Sequence, residues 1–96
     1  MEIDRVLCRE ILLALDELVP TKMRNIDSGG LHGVLKAKGV KLGLSAHYLL
    51  TVDSLVKDGF IDSAGSVGDE DGFPHPHHLM NGLTPAGKEK LKSQHN

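Results

Sequence analysis

The stretch from Ser45 to Ile61, SAHYLLTVDSLVKDGFI, constrains the fold more than any other part of the chain. Tyr48, Leu49, Val52, Leu55 and Val56 recur at helical spacing, which predicts a helix over Ser45 to Asp58 with one buried stripe. Ser45 is a favoured N-cap, and Gly59 is the residue type that ends a helix without steric penalty. Phe60-Ile61 then starts a strand. A helix followed at once by a strand, within 96 residues, points to one mixed α+β domain spanning 1–96.

The remaining segments fit around this pair. Ile3, Leu7, Ile11, Ala14, Leu15 and Leu18 form a 3.6-residue stripe, widened by Val6, Leu12 and Leu13, so a first helix is expected over Ile3 to Leu18, stopped by Pro20. Asp27-Ser28-Gly29-Gly30 reads as a turn, and LHGVLKAK, Leu31 to Lys38, as a short second helix closed near Gly39. Ala64 to Gly72 is a Gly-rich acidic hairpin tip, with a returning strand over His77 to Leu83. Thr84-Pro85, a favoured N-cap and first-turn pair, opens a last helix to about Ser93. The expected core is Leu7, Ile11, Leu15, Leu18, Leu35, Leu49, Val52, Leu55, Val56, Ile61, Leu83 and Leu91. Aromatics are only 3%, so that core must be aliphatic.

Composition removes several classes. Cys8 is the single cysteine, so an internal disulfide framework is excluded, and its apolar helical neighbours suggest packing rather than reactivity. No apolar run approaches the length of a membrane span. The opening MEIDRV is acidic where a signal peptide is basic, so a cytoplasmic protein is expected.

Three helices followed by a two-stranded antiparallel hairpin and a short C-terminal helix is the winged helix-turn-helix plan, with the wing at about 59–84. The stretches DRVLCREILLALDEL, SAHYLLTVDSLVKDGFID and LTPAGKEKLK carry a resemblance. Through Leu55, Gly59, Phe60, Ile61, Leu83, Thr84, Gly87 and Leu91, the chain resembles small winged-helix families of bacteria and their phages, the YjcQ-like proteins among them. The resemblance covers most of the chain. It implies a winged-helix domain, phage- or prophage-linked, with no catalytic residues to carry over. The Gly-Asp-Glu tip and the His-Pro-His-His run depart from that pattern.

Charge is unevenly spread behind a net value of −2. Lys22, Arg24, Lys36, Lys38 and Lys41 stand against Asp27 alone in residues 20–45, whereas residues 53–73 hold six carboxylates against Lys57. A helix-turn-helix inserts its second helix into the major groove. On that reading His47, Thr51 and Ser54 face the bases, and Lys36, Lys38 and Lys41 hold phosphates. The outer face offers no Arg or Lys to read guanine, and the acidic tip repels a duplex. DNA binding as a homodimer is therefore one expectation. The alternative is a protein-binding adaptor or inhibitor that uses Leu50 and the acidic Asp69, Glu70 and Asp71, which imitate the charge of a nucleic acid.

Other chemistry is weakly signalled. His75 and His77 could share one side of a strand as metal ligands, but their spacing fits no zinc pattern, and no cofactor is expected. No phosphate-binding glycine loop, nucleophile elbow or zinc-protease motif occurs, so the expectation is a protein that is not an enzyme.

Overall fold

The computed structural model describes residues 5–19, 21–42, 45–67 and 77–94. Its elements run α1 (Arg5–Leu18), β1 (Ile26–Asp27), α2 (Ser28–Ala37), α3 (Ser45–Lys57), β2 (Ile61–Val67), β3 (His77–Leu83) and α4 (Pro85–Gln94). Four helices therefore accompany a three-stranded antiparallel sheet of order β1-β3-β2, an α+β architecture.

Periodicity explains the helices. In α1, Leu7, Cys8, Ile11, Leu12, Ala14 and Leu15 are buried at i, i+3, i+4 and i+7 spacing, while Val6 is 71% exposed and does not widen the stripe as expected. Leu31 and Leu35 of α2 are fully buried and join the same aliphatic cluster, with Tyr48, Val52 and Leu55 of α3, Ile61, Met80 and Leu91. Cys8 packs inside this cluster, in line with its expected role. Leu18, Val56 and Leu83, expected in the core, are only partly buried at its margin.

α2 begins at Ser28, three residues before its expected start. The cause is Asp27, which caps the helix: its carboxylate accepts the Gly30 N–H at 2.6 Å. A Cβ on Gly30 would sit 3.0 Å from that carboxylate oxygen and 3.1 Å from Ile26, so the glycine permits a close approach and does not mark the turn expected there. β1 is also an addition. Its two residues pair with the middle strand, Ile26 opposite Met80 and Asp27 opposite Leu79.

β3 lies where the returning strand was expected, whereas β2 continues through Val67, four residues into the expected tip of Ala64 to Gly72. Alternation along β3 buries His78, Met80 and Gly82 and exposes Leu79 and Asn81. The β2–β3 register slips between Asp62 and Ser63 and again between Ser63 and Gly65, so Ser63 stands opposite Met80. At the other end, Thr84 binds two elements together. Its hydroxyl donates to the Gly59 carbonyl at 2.5 Å and accepts the Gly87 N–H at 3.0 Å, capping α4 as expected. Gly87 lies so close to Phe60 that any Cβ there would strike the Phe60 carbonyl oxygen.

Candidate functional site

α3 has little free surface. Tyr48, Leu49, Val52 and Leu55 face the core, and Thr51 and Asp53 are buried as well. Among the described residues, Ala46 and Val56 are partly exposed, and His47, Leu50, Ser54 and Lys57, spaced three to four residues apart, form a stripe on the outer face. Lys57 completes this stripe, although the outer face was expected to hold no cation. Its i+3 spacing from Ser54 was the available signal. The ammonium sits 2.9 Å from Asp53 and is 74% exposed.

Thr51 is a correction. Expected on the open face, it is 3% exposed, and its hydroxyl donates to the His47 carbonyl one turn back at 2.7 Å. Such back-bonding satisfies a hydroxyl within its own helix and leaves it unable to read a base. His47, Leu50 and Ser54 are each partly exposed.

Of the three lysines expected at phosphates, Lys36 and Lys41 are exposed. Lys38 is exposed too, but it forms an ion pair with Glu17 of α1 at 2.7 Å. The Lys38 hydrogen bond and charge hold the Glu17 carboxyl below its ordinary value. Asp69, Glu70, Asp71 and His75 lie outside the described residues. His77 is half-buried and, with His32, Tyr48 and Leu49, lines a shallow cleft of about 120 Å³. The His32 ring meets the edge of Tyr48 at 5.0 Å between centroids.

Beneath the stripe runs a polar seam that sequence spacing did not reveal. Ser28, fully buried at the start of α2, accepts the His78 N–H at 3.0 Å. The Tyr48 hydroxyl donates to the Ser28 carbonyl at 2.7 Å, and burial pushes that phenol above its ordinary value. His78, 7% exposed, uses both ring nitrogens: Nε2 lies 2.8 Å from Asp53 Oδ1, and Nδ1 lies 3.0 Å from Ser63 Oγ. Burial alone would raise the Asp53 carboxyl. Hydrogen bonds from Lys57 and His78, and the charge of Lys57, outweigh it and hold the group below the usual carboxylate range.

Comparison of the chain with protein-family models, curated proteins and solved structures finds no match. Among the described residues, no helix is long and apolar enough to cross a membrane.

Proposed function

We propose that the chain is a winged helix-turn-helix domain, of the YjcQ-like kind, that binds duplex DNA through α3. One observation carries this reading: β1 pairs with β3, so the connection between α1 and α2 and the hairpin belong to one sheet, beside which α3 keeps a stripe of exposed and partly exposed residues. That arrangement supports a winged helix in which α2 and α3 act as the helix-turn-helix and the hairpin as the wing. A wing over 59–84 takes in both hairpin strands.

Within it, His47 and Ser54 reach base edges, and Lys57 supplies a cation at the end of the same stripe. Lys36 and Lys41 flank the turn before α3 and contact phosphates, while Lys38 exchanges its Glu17 pair for a phosphate only at a cost. One small module buries little surface on DNA, so a second copy on a symmetric half-site completes the binding unit.

Fluorescence anisotropy with labelled random-sequence duplex, at about 50 and 200 mM salt, tests the reading. The intact chain binds at low salt and weakens steeply at high salt, because each phosphate contact releases counterions. Replacing Lys36 and Lys41 together by Glu should remove most low-salt binding and flatten the salt slope by roughly two contacts' worth, near 0.9 each. Equal binding by the double variant overturns the lysine assignment. A complete lack of low-salt binding overturns DNA recognition and favours the rival, in which Leu50 and the carboxylates of Asp69, Glu70 and Asp71 engage a basic protein.

A further inference from the structure

The Asp53, His78 and Ser63 side chains form an unbroken chain of hydrogen bonds that DNA binding does not use. They come from three elements, α3, β3 and β2. Asp53 Oδ1 lies 2.8 Å from His78 Nε2, and His78 Nδ1 lies 3.0 Å from Ser63 Oγ. An ionised Asp53 assigns the proton of a neutral imidazole to Nε2. Nδ1 is then a lone pair, aimed at a serine hydroxyl.

The slipped register matters here. In unbroken pairing Ser63 would stand opposite Asn81, on the outer side of the hairpin. The irregularity puts it opposite Met80 and lets its hydroxyl reach the buried imidazole. The Gly65 N–H donates to the same oxygen at 3.2 Å, which stabilises negative charge developing on Oγ. The hydroxyl proton has a competing acceptor, the Gly65 carbonyl at 3.0 Å, so it can go to only one of the two at a time. Ser63 is half-buried, Ala64 and Gly65 beside it are exposed, and a Cβ on Gly65 would meet nothing within 4 Å. Among the described residues, nothing therefore blocks a small molecule from approaching past Gly65. The exposed Asp62 next to Ser63 disfavours an anionic one.

From this geometry we infer that Ser63 is a nucleophilic serine, with His78 its general base and Asp53 the positioning residue, and that it takes acyl groups from small uncharged esters. In the acylation step the Ser63 Oγ–C bond forms and its proton moves to His78 Nδ1. The ester C–O bond breaks, and the leaving alkoxide takes that proton away as an alcohol. Water then attacks the acyl-serine with the same base, which releases the carboxylic acid and restores the hydroxyl. With an organophosphorus fluoride the Oγ–P bond forms, P–F breaks, and the proton and fluoride leave as HF.

Diisopropyl fluorophosphate, an uncharged probe, tests this on the full chain, read by intact mass and peptide mapping. The folded protein should gain one adduct, on Ser63, and Ser63→Ala should gain none. His78→Gln should react at least about 100-fold more slowly, the lower range for loss of a general base. Asp53→Asn should also slow the reaction, by disturbing the tautomer. The groups facing the imidazole are Asp53, with Lys57 behind it, from α3, and Ser63 from β2, while Ser28 of α2 holds its backbone. The labelling rate should rise with pH, because only an imidazole without its second proton can accept the one from Ser63. No adduct on the folded chain, an undiminished adduct in Ser63→Ala, or a full rate in His78→Gln overturns the assignment and leaves the triple as a structural clasp. If His78→Gln fails to fold, the other two readouts decide: a flat pH profile or an unchanged rate in Asp53→Asn overturns it.

Discussion

The two ends of α2 sit in opposite environments. Toward its middle and far end, Leu31 and Leu35 are fully buried in an aliphatic cluster with Ile11, Leu12 and Leu15 of α1. At its first residue, Ser28 enters a seam of hydroxyls, an imidazole and a carboxylate that reaches Tyr48, His78, Asp53 and Ser63. The aliphatic side is held by removal of apolar surface from water, which is non-directional and indifferent to pH. The seam contributes less net free energy, because each of its bonds replaces one to water, but every bond fixes a direction. Cohesion therefore comes from the first region, and the placement of the hairpin against α3 from the second.

That division can be broken by mutation. Leu15→Ala should cost about 2–5 kcal/mol by urea unfolding, the transfer loss plus a cavity, and should leave the pH dependence of stability as it was. Asp53→Asn should cost about 2 kcal/mol at pH 7, since it removes the charge from two hydrogen bonds to ionic or ionisable partners. Its sign with pH is defined. The folded carboxyl lies below its unfolded value near 3.9. Its stabilisation is complete above that value and is lost as pH falls through the folded one. Unfolding curves at about pH 7, 5 and 3 should converge for wild type and Asp53→Asn at the acid end. A pH effect in Leu15→Ala, or none in Asp53→Asn, would dissolve the distinction. The smallest effect sharpens it: Gly33→Ala lies on the exposed middle of α2, where a Cβ meets nothing within 4 Å, and should stabilise by about 0.5–1 kcal/mol without touching either region.

Much of the architecture was legible because it rests on local rules. Helical spacing located α1 and α3, and Thr84-Pro85 marked the start of α4. β3 runs over His77 to Leu83, where a returning strand was expected. β1 was not legible, because two residues cannot show an alternation; only pairing with Met80 and Leu79, more than fifty residues away, makes them a strand. Gly29-Gly30 suggested a turn because turn and helix N-terminus share a composition, and Asp27's capping bond decided between them. At the candidate site, Lys36 and Lys41 could be picked out by charge, but Thr51's burial could not, since its polarity concealed an internal partner. The Asp53–His78–Ser63 chain escaped notice for a different reason. Its members lie 10 and 15 residues apart on separate elements, and the last of them depends on a register slip.

The pairing of β1 with β3 also has a consequence for biosynthesis. A ribosome that has released residues up to Gly59 has exposed α1, α2 and α3 but neither partner that completes the sheet. Ile26 must wait for Met80, Ser28 for His78, and α1 for the packing of α4. The nascent helices can shelter part of one another's apolar stripes, but the faces that pack on the hairpin and α4 stay uncovered until those elements follow. A chaperone that shields aliphatic helices would meet this chain at that stage, and a translational pause before residue 80 would lengthen the exposure.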